Sequence, residues 1–321
     1  MKNRLAAAFE SVAPSSWRRM AMLLAGGIAA TAWSSFARAY CRTTTCETNP
    51  RPDSCNGTYD SSTLCSDEGT PLFWPSPCIS FSVNTAGSPR LGISADQLQD
   101  VVETAFQRWL AADCGDGAHP DLSIETYPQV DCSEIGYKEN GPNQNQWAFR
   151  DDDWPYGATI DGVLALTLLT VNTKSGEIYD VDVELNSYQS HFTLDTANPD
   201  IDLPSVVQHE SGHFLGLDHS IVQGATMQAG YSARDLSMRT LAPDDEAGIC
   251  SVASPGSATD SCDAEPRHGF STSCTKPSSQ GCSIAAAGLS PRPAAEFAIA
   301  CLGLIFAAAA VRRRSETRSS N

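Results

Sequence analysis

No Cys-x-x-Cys pair occurs in this 321-residue sequence, although it carries 12 cysteines. A cysteine-built zinc site is argued against by that absence. Basic residues are scarce, with 21 Lys+Arg against 38 Asp+Glu. The acidic surface that results repels nucleic acid and anionic lipid. No internal repeat is found, and no apolar run reaches the ~20 residues of a membrane-spanning helix. Histidine is sparse as well. There are six in the chain, and three of them, His209, His213 and His219, fall close together.

Both ends read as targeting segments. Lys2, Arg4, Arg18 and Arg19 precede an apolar run from Met20 to Trp33, and Ala37-Arg38-Ala39 follows. Basic region, short apolar region and A-x-A site describe a cleavable secretory signal over 1–39. Cleavage after Ala39 would leave Tyr40 first. At the other end, Phe297 to Val311 is apolar and Arg312, Arg313 and Arg314 follow at once. The basic cluster should stay cytoplasmic, and such a tail can also be removed.

Between these ends, residues 40–282 carry 11 Lys+Arg and 35 Asp+Glu, a net charge of −24. Ten cysteines lie from Cys41 to Cys274, an even set that argues for disulfides in an exported chain. Residues 40–71 read as a Cys-rich, disulfide-stapled extension. Cys114 with Cys132 is the one expected pair. Residues 253–282 read as a Ser/Pro/Thr-rich linker closed by a disulfide loop, and 283–321 as the tail.

The patterning between them indicates an α+β catalytic domain at 72–252. ISFSVN (79–84) alternates as a half-buried strand does. Ser94 and Gln97 form a capping-box pattern before a helix whose Leu98, Val101, Val102, Ala105 and Trp109 share one face. A strand is expected at 121–127 and a long loop at 141–161. Strands at 163–171 and 177–185 are joined by the Asn172–Gly176 turn. Asp180, Asp182 and Glu184 face one side of the second. Pro204 and Ser205 start a helix, and Pro243, Asp244 and Asp245 start the last one.

The chemistry lies in His209-Glu210-Ser211-Gly212-His213-Phe214-Leu215-Gly216-Leu217-Asp218-His219. Residues i and i+4 share a helix face, so His209 and His213 can bind one zinc ion. Gly216 can take φ > 0 and end the helix, which lets the chain return with His219. Three protein ligands leave a tetrahedral position for water. Zinc lowers the pKa of that water to about 7, and Glu210 can take its proton and return it to the leaving amine.

This run resembles the metzincin zinc peptidases. Met227, eight residues after His219, resembles their methionine turn, and Gly216–Ser220 resembles the matrixin branch. The resemblance covers residues 72–252. It implies a metzincin-like fold: a mixed twisted sheet with a helix in the N-terminal half, a zinc-site helix and a C-terminal helix. It implies one catalytic zinc on His209, His213 and His219, with Glu210 as general base, and Gly216 and Met227 as structural residues. Gly162-Val163-Leu164-Ala165 resembles the edge strand that pairs with substrate, so Leu164 and Ala165 are expected to contact a peptide backbone. Tyr231 is expected to wall the adjoining pocket.

Departures are informative. Leu166 and Tyr179 stand where matrixins carry two ligands of a structural zinc, and His119, His191 and His268 are scattered, so no second zinc is expected. The Asp180/Asp182/Glu184 face resembles a calcium-binding strand with altered spacing; Ca²⁺ or a solvated acidic face would explain it equally. Asp244 and Asp245 could brace the site or simply begin an exposed helix. No typical propeptide with its inhibitory cysteine motif precedes the domain. Cys282, the apolar segment and the terminal arginines together resemble the sorting tail of myxobacterial surface proteins, which is processed near the cysteine.

The expected activity is that of a metalloendopeptidase at the cell surface or outside the cell. It acts as a monomer on a protein or peptide substrate, binds no nucleic acid, and attaches to a membrane only through its tail. A surface protein with zinc but no protease activity, or a zinc amidase acting on cell-wall peptides, are the alternatives.

Overall fold

The computed structural model describes residues 40–47, 55, 65–66, 68–132, 134–156, 163–254, 256 and 262–274, and the backbone pairing of 297–305. The expected signal at 1–39 and most of the expected tail lie outside the described residues. The N-terminal arm supplies β1 (Cys41–Arg42), and β2 (Cys78–Val83) enters the main sheet. Next comes α1 (Ala95–Leu110), started as expected: Gln97 N donates to Ser94 Oγ at 3.1 Å, and Ser94 N to Gln97 Oε1 at 2.9 Å. The box thus satisfies two backbone N–H groups at the helix start reciprocally. Leu98, Val102, Ala105, Phe106 and Trp109 form its buried stripe.

β3 (Ser123–Thr126) and β4 (Gln146–Phe149) follow, and then the hairpin of β5 (Val163–Asn172) and β6 (Ile178–Leu185). Asn172 shapes the turn: its Oδ1 accepts from Lys174 N and Ser175 N, and Gly176 takes φ +81°. Short strands β7 (Phe192–Thr193) and β8 (Ile201–Asp202) pair in parallel just before α2 (Leu203–Phe214). β9 (Leu217–Asp218), α3 (Pro243–Val252) and β10 (Phe297–Ile305) complete the order.

The main sheet runs β10-β5-β6-β4-β2-β3. It is mixed: β3, β2, β4 and β6 are parallel neighbours, whereas β5 is antiparallel to β6 and to β10. The fold is α+β and metzincin-like, with the expected three helices. Aromatic rings join sheet to helices. Phe106 packs edge-on against Phe214 and Trp147, with centroids at 5.0 and 6.2 Å, an arrangement that favours aromatic pairs. Trp109 Nε1 donates to Gln208 O at 3.0 Å, tying α1 to α2.

Four expectations are corrected. The 141–161 loop contains β4, which sits centrally between β2 and β6; four residues are too few for alternation to register. Cys114 pairs with Cys250 rather than Cys132, and Cys132 pairs with Cys274. Residues 262–274 are no linker, and Cys262 joins Cys78 rather than closing a local loop. The segment is strapped to the sheet by an Asp131↔Ser273 bridge, by Phe270 against Tyr127, and by Arg267 over the Tyr179 ring at 3.8 Å.

The acidic face of β6 is not solvated. Asp180, Asp182 and Glu184 are all buried, and backbone N–H groups of Asn145 to Asp180 and of Gly136 and Gln146 to Asp182 bond to this face. Asp182 Oδ1 accepts from Gln146 N at 2.8 Å, and Glu184 pairs with Arg150. Burial pushes the Asp180 and Asp182 carboxyls up, Asp182 to about 6, and the two hydrogen-bond to each other. The stapled arm holds as expected, through Cys41–Cys65 and Cys46–Cys55. In all, five disulfides take up the ten cysteines from 41 to 274. Among the described residues, no helix is long and apolar enough to cross a membrane. The described part of the tail, Phe297–Ile305, is the strand β10.

Candidate metal centre

α2 begins at a buried N-cap. Asp202 Oδ2 accepts from Ser205 N at 2.9 Å and from Ser205 Oγ at 2.6 Å, which satisfies donors at the helix start. Arg239 forms an ion pair with the same carboxylate. The helix ends at Leu215, and Gly216 takes φ +98°, a conformation that glycine adopts without a Cβ penalty. The reversal runs the chain through β9 and brings His219 back to His209 and His213.

One ligand atom from each of the three histidines lies within 4.8 Å of the others, and no other such group occurs among the described residues. His209 and His213 are fully buried, and His219 is partly so. Two rings are oriented by carbonyls: His209 Nδ1 lies 2.6 Å from Thr226 O, and His213 Nδ1 lies 2.8 Å from Leu217 O. A carbonyl only accepts, so each Nδ1 carries the proton and each Nε2 keeps its lone pair. Those two Nε2 atoms then face each other at 3.0 Å with no hydrogen between them. His219 Nε2 is buried and has no partner. Three imidazole nitrogens with converging lone pairs fit a zinc ion. Burial lowers all three imidazoles, His213 to about 3 and His219 to about 4, with neighbouring histidines adding to the shift at His209 and His213. They are therefore neutral, as ligands must be.

Glu210 is fully buried beside them. Thr167, on β5, donates to its Oε2 at 2.6 Å, while Oε1 has no partner. Burial raises this carboxyl to about 8, against a smaller lowering by the Thr167 hydrogen bond.

Met227 lies beneath the histidine helix. A Cβ placed on Gly212 would come 2.2 Å from Met227 Sδ and 2.8 Å from Trp109 Cζ2. Gly212 is therefore the gap that admits the methionine. The turn is braced by Asp245, whose carboxylate accepts from Thr226 N at 2.7 Å, Met227 N at 3.0 Å and Ala242 N at 2.8 Å. Of the two readings of the α3 start, Asp245 is the brace, while Asp244 accepts from Ser220 Oγ at 2.6 Å.

The expected substrate residues are placed as follows. Leu164 O accepts from Asn186 N at 2.8 Å, so Leu164 turns its backbone groups toward β6. Ala165, the next residue, turns its own outward. β10 lies along that outer edge. Tyr231 is buried, and its hydroxyl accepts from Asp202 N at 2.8 Å. The sequence reading missed Thr167, which reaches Glu210 from 43 residues away, and the carbonyls of Thr226 and Leu217. No local pattern marks them.

The family profile described as Matrixin matches residues 74–252, more than half of the chain. Metalloendoproteinase 4-MMP of Arabidopsis thaliana is 32% identical over 104 residues, covering 32% of this chain and 30% of that protein. The chain thus spans less than a third of the length of this relative.

Proposed function

Because the chain belongs to the matrixin family, we propose that it is an exported zinc endopeptidase with Glu210 as general base. The observation that carries this reading is the pairing of three converging, neutral imidazoles with a buried carboxyl whose Oε1 has no partner. Zinc held there would supply a Lewis acid for water and for the scissile carbonyl. His209, His213 and His219 would hold it through their Nε2 atoms. Thr167 fixes Glu210 by Oε2 and leaves Oε1 to take a proton from the attacking water and return it to the leaving amine. A dication beside Glu210 favours the carboxylate and so draws its pKa down from the metal-free position.

Peptide binding at the edge of β5 is read as β-augmentation centred on Ala165, because its backbone groups face outward. Tyr231, fixed at the start of α2, would wall the adjoining pocket. Export is supported by five disulfides, which persist in oxidising compartments.

Cleavage of casein and of a mixed peptide library by the zinc-loaded full chain is the test. Activity should disappear in Glu210→Ala and on chelation, and return with added zinc. A folded, zinc-loaded protein that cuts neither substrate would defeat the peptidase reading and leave a zinc-binding surface protein. Cleavage confined to cell-wall peptides would favour an amidase.

A further inference from the structure

The N-terminal arm lies outside the matched span, yet it is built into the metal centre. β1 pairs antiparallel with β9, Cys41 opposite Asp218 and Arg42 opposite Leu217. Thr43 N donates to Gly216 O at 3.1 Å. β9 is the two-residue strand in the passage from His213 to His219. Its Leu217 carbonyl orients His213, and its Asp218 Oδ1 accepts from His219 N at 2.7 Å. The strand that aims one ligand and delivers another therefore has the arm as its only ladder partner among the described residues.

The arm is itself immobilised. Thr43, Thr44 and Thr45 are buried. Leu72 N donates to Thr43 O at 2.8 Å, Thr45 N to Thr70 O at 3.0 Å, and the Arg42 guanidinium to Leu72 O at 2.5 Å. Cys41–Cys65 closes it covalently at β1 itself. An isolated two-residue ladder has little stability of its own, so these anchors determine whether β9 has a partner at all.

We propose that residues 40–47 are a positioning part of the metal centre, and that the Cys41–Cys65 disulfide sets zinc affinity by holding β9 in place. The proposal rests on His209, His213 and His219 being zinc ligands. Outer partners that orient ligating histidines are worth about 10- to 100-fold in metal affinity. The arm should act at that level, with Arg42 and Thr43 as positioning residues that never touch the ion.

The test uses the full chain and compares the parent with Cys41→Ser/Cys65→Ser. Cys132→Ser/Cys274→Ser, which removes a disulfide remote from β9, is the control. Zinc affinity is read by competition with a chromophoric chelator, and ligand geometry by the visible spectrum of the cobalt-substituted protein. Zinc should bind about 10- to 100-fold more weakly in the arm variant, with a weakened tetrahedral cobalt band, while the control keeps both. Thr43→Pro, which removes the N–H that Gly216 accepts and keeps every disulfide, should weaken zinc about tenfold. This second variant decides the matter if the first does not fold. Parent-like affinity and cobalt spectrum in Thr43→Pro, or equal losses in the control, would overturn the proposal. A parent that binds no zinc would instead remove the metal-ligand reading beneath it.

Discussion

Glu210 is held in a place that costs the fold stability. An unfolded chain releases its carboxyl proton near 4.5, whereas the folded, metal-free protein keeps it up to about 8. The folded state thus binds the extra proton between these values, and stability falls as pH rises through that window. Glu210→Gln removes the cost. In the zinc-free protein its stabilisation over the parent should be near zero below pH 4.5 and grow to at most ~5 kcal/mol above pH 8. Urea unfolding of both proteins across pH measures the difference, and a pH-independent difference would contradict the assignment. The same variant should keep zinc and lose about 10²- to 10⁴-fold in kcat. Thr167 acts in the opposite direction on this carboxyl, since its hydrogen bond favours the charged form. Thr167→Val keeps a β-branched side chain on β5 and removes the donor. The acid limb of kcat/KM should then move up by about one pH unit, with zinc content unchanged.

At the scale of elements, α2 carries an exception to an ordinary rule. Replacing a glycine inside a helix by alanine usually stabilises it by about 1 kcal/mol. At Gly212 the added Cβ meets Met227 Sδ and Trp109, so Gly212→Ala should destabilise by about 1–3 kcal/mol through overpacking. Chemical denaturation decides the sign, and Gly212→Ala combined with Met227→Ala should recover part of the loss. These elements also show what the sequence could reveal. The α1 start, the β5–β6 turn, the α2 histidines and the Gly216 reversal are each specified within a few residues, and each was legible. β4 was not, because its burial comes from neighbours distant in the chain. The disulfides join cysteines up to 184 residues apart, and no spacing rule fixes such pairs. The acidic face of β6 looked solvated because Asn145 and Gln146, whose backbones bond to Asp180 and Asp182, fall in a stretch that was read as loop. In the metal centre the ligands and the base were legible, whereas Thr167, Asp245 and the Leu217 and Thr226 carbonyls owe their roles to tertiary approach.

For the whole molecule, the two ends bear on one catalytic domain in different ways. The arm supports the ligands, while β10 lies on the edge assigned to substrate. β10 runs antiparallel along β5 from Phe297↔Asn172 to Ile305↔Val163, with an irregularity between Gly303 and Ile305. Strand addition consumes the outward N–H and C=O groups of an edge, so a sheet edge accepts one added strand at a time. A peptide substrate centred on Ala165 and the segment 297–305 therefore compete for the same groups. The tethered segment has the advantage of an effective concentration in the millimolar range. A chain ending at Cys282 should accordingly show a KM for peptide at least about tenfold lower than the full chain, with kcat little altered. A synthetic peptide of sequence 297–305, flanked by lysines for solubility, should inhibit the shortened chain competitively. Equal KM values for the two chains would mean that substrate does not use this edge or that the tail does not hold it. Inhibition by the added peptide would show that substrate uses the edge, so that equal KM values would then mean that the tethered segment does not hold it.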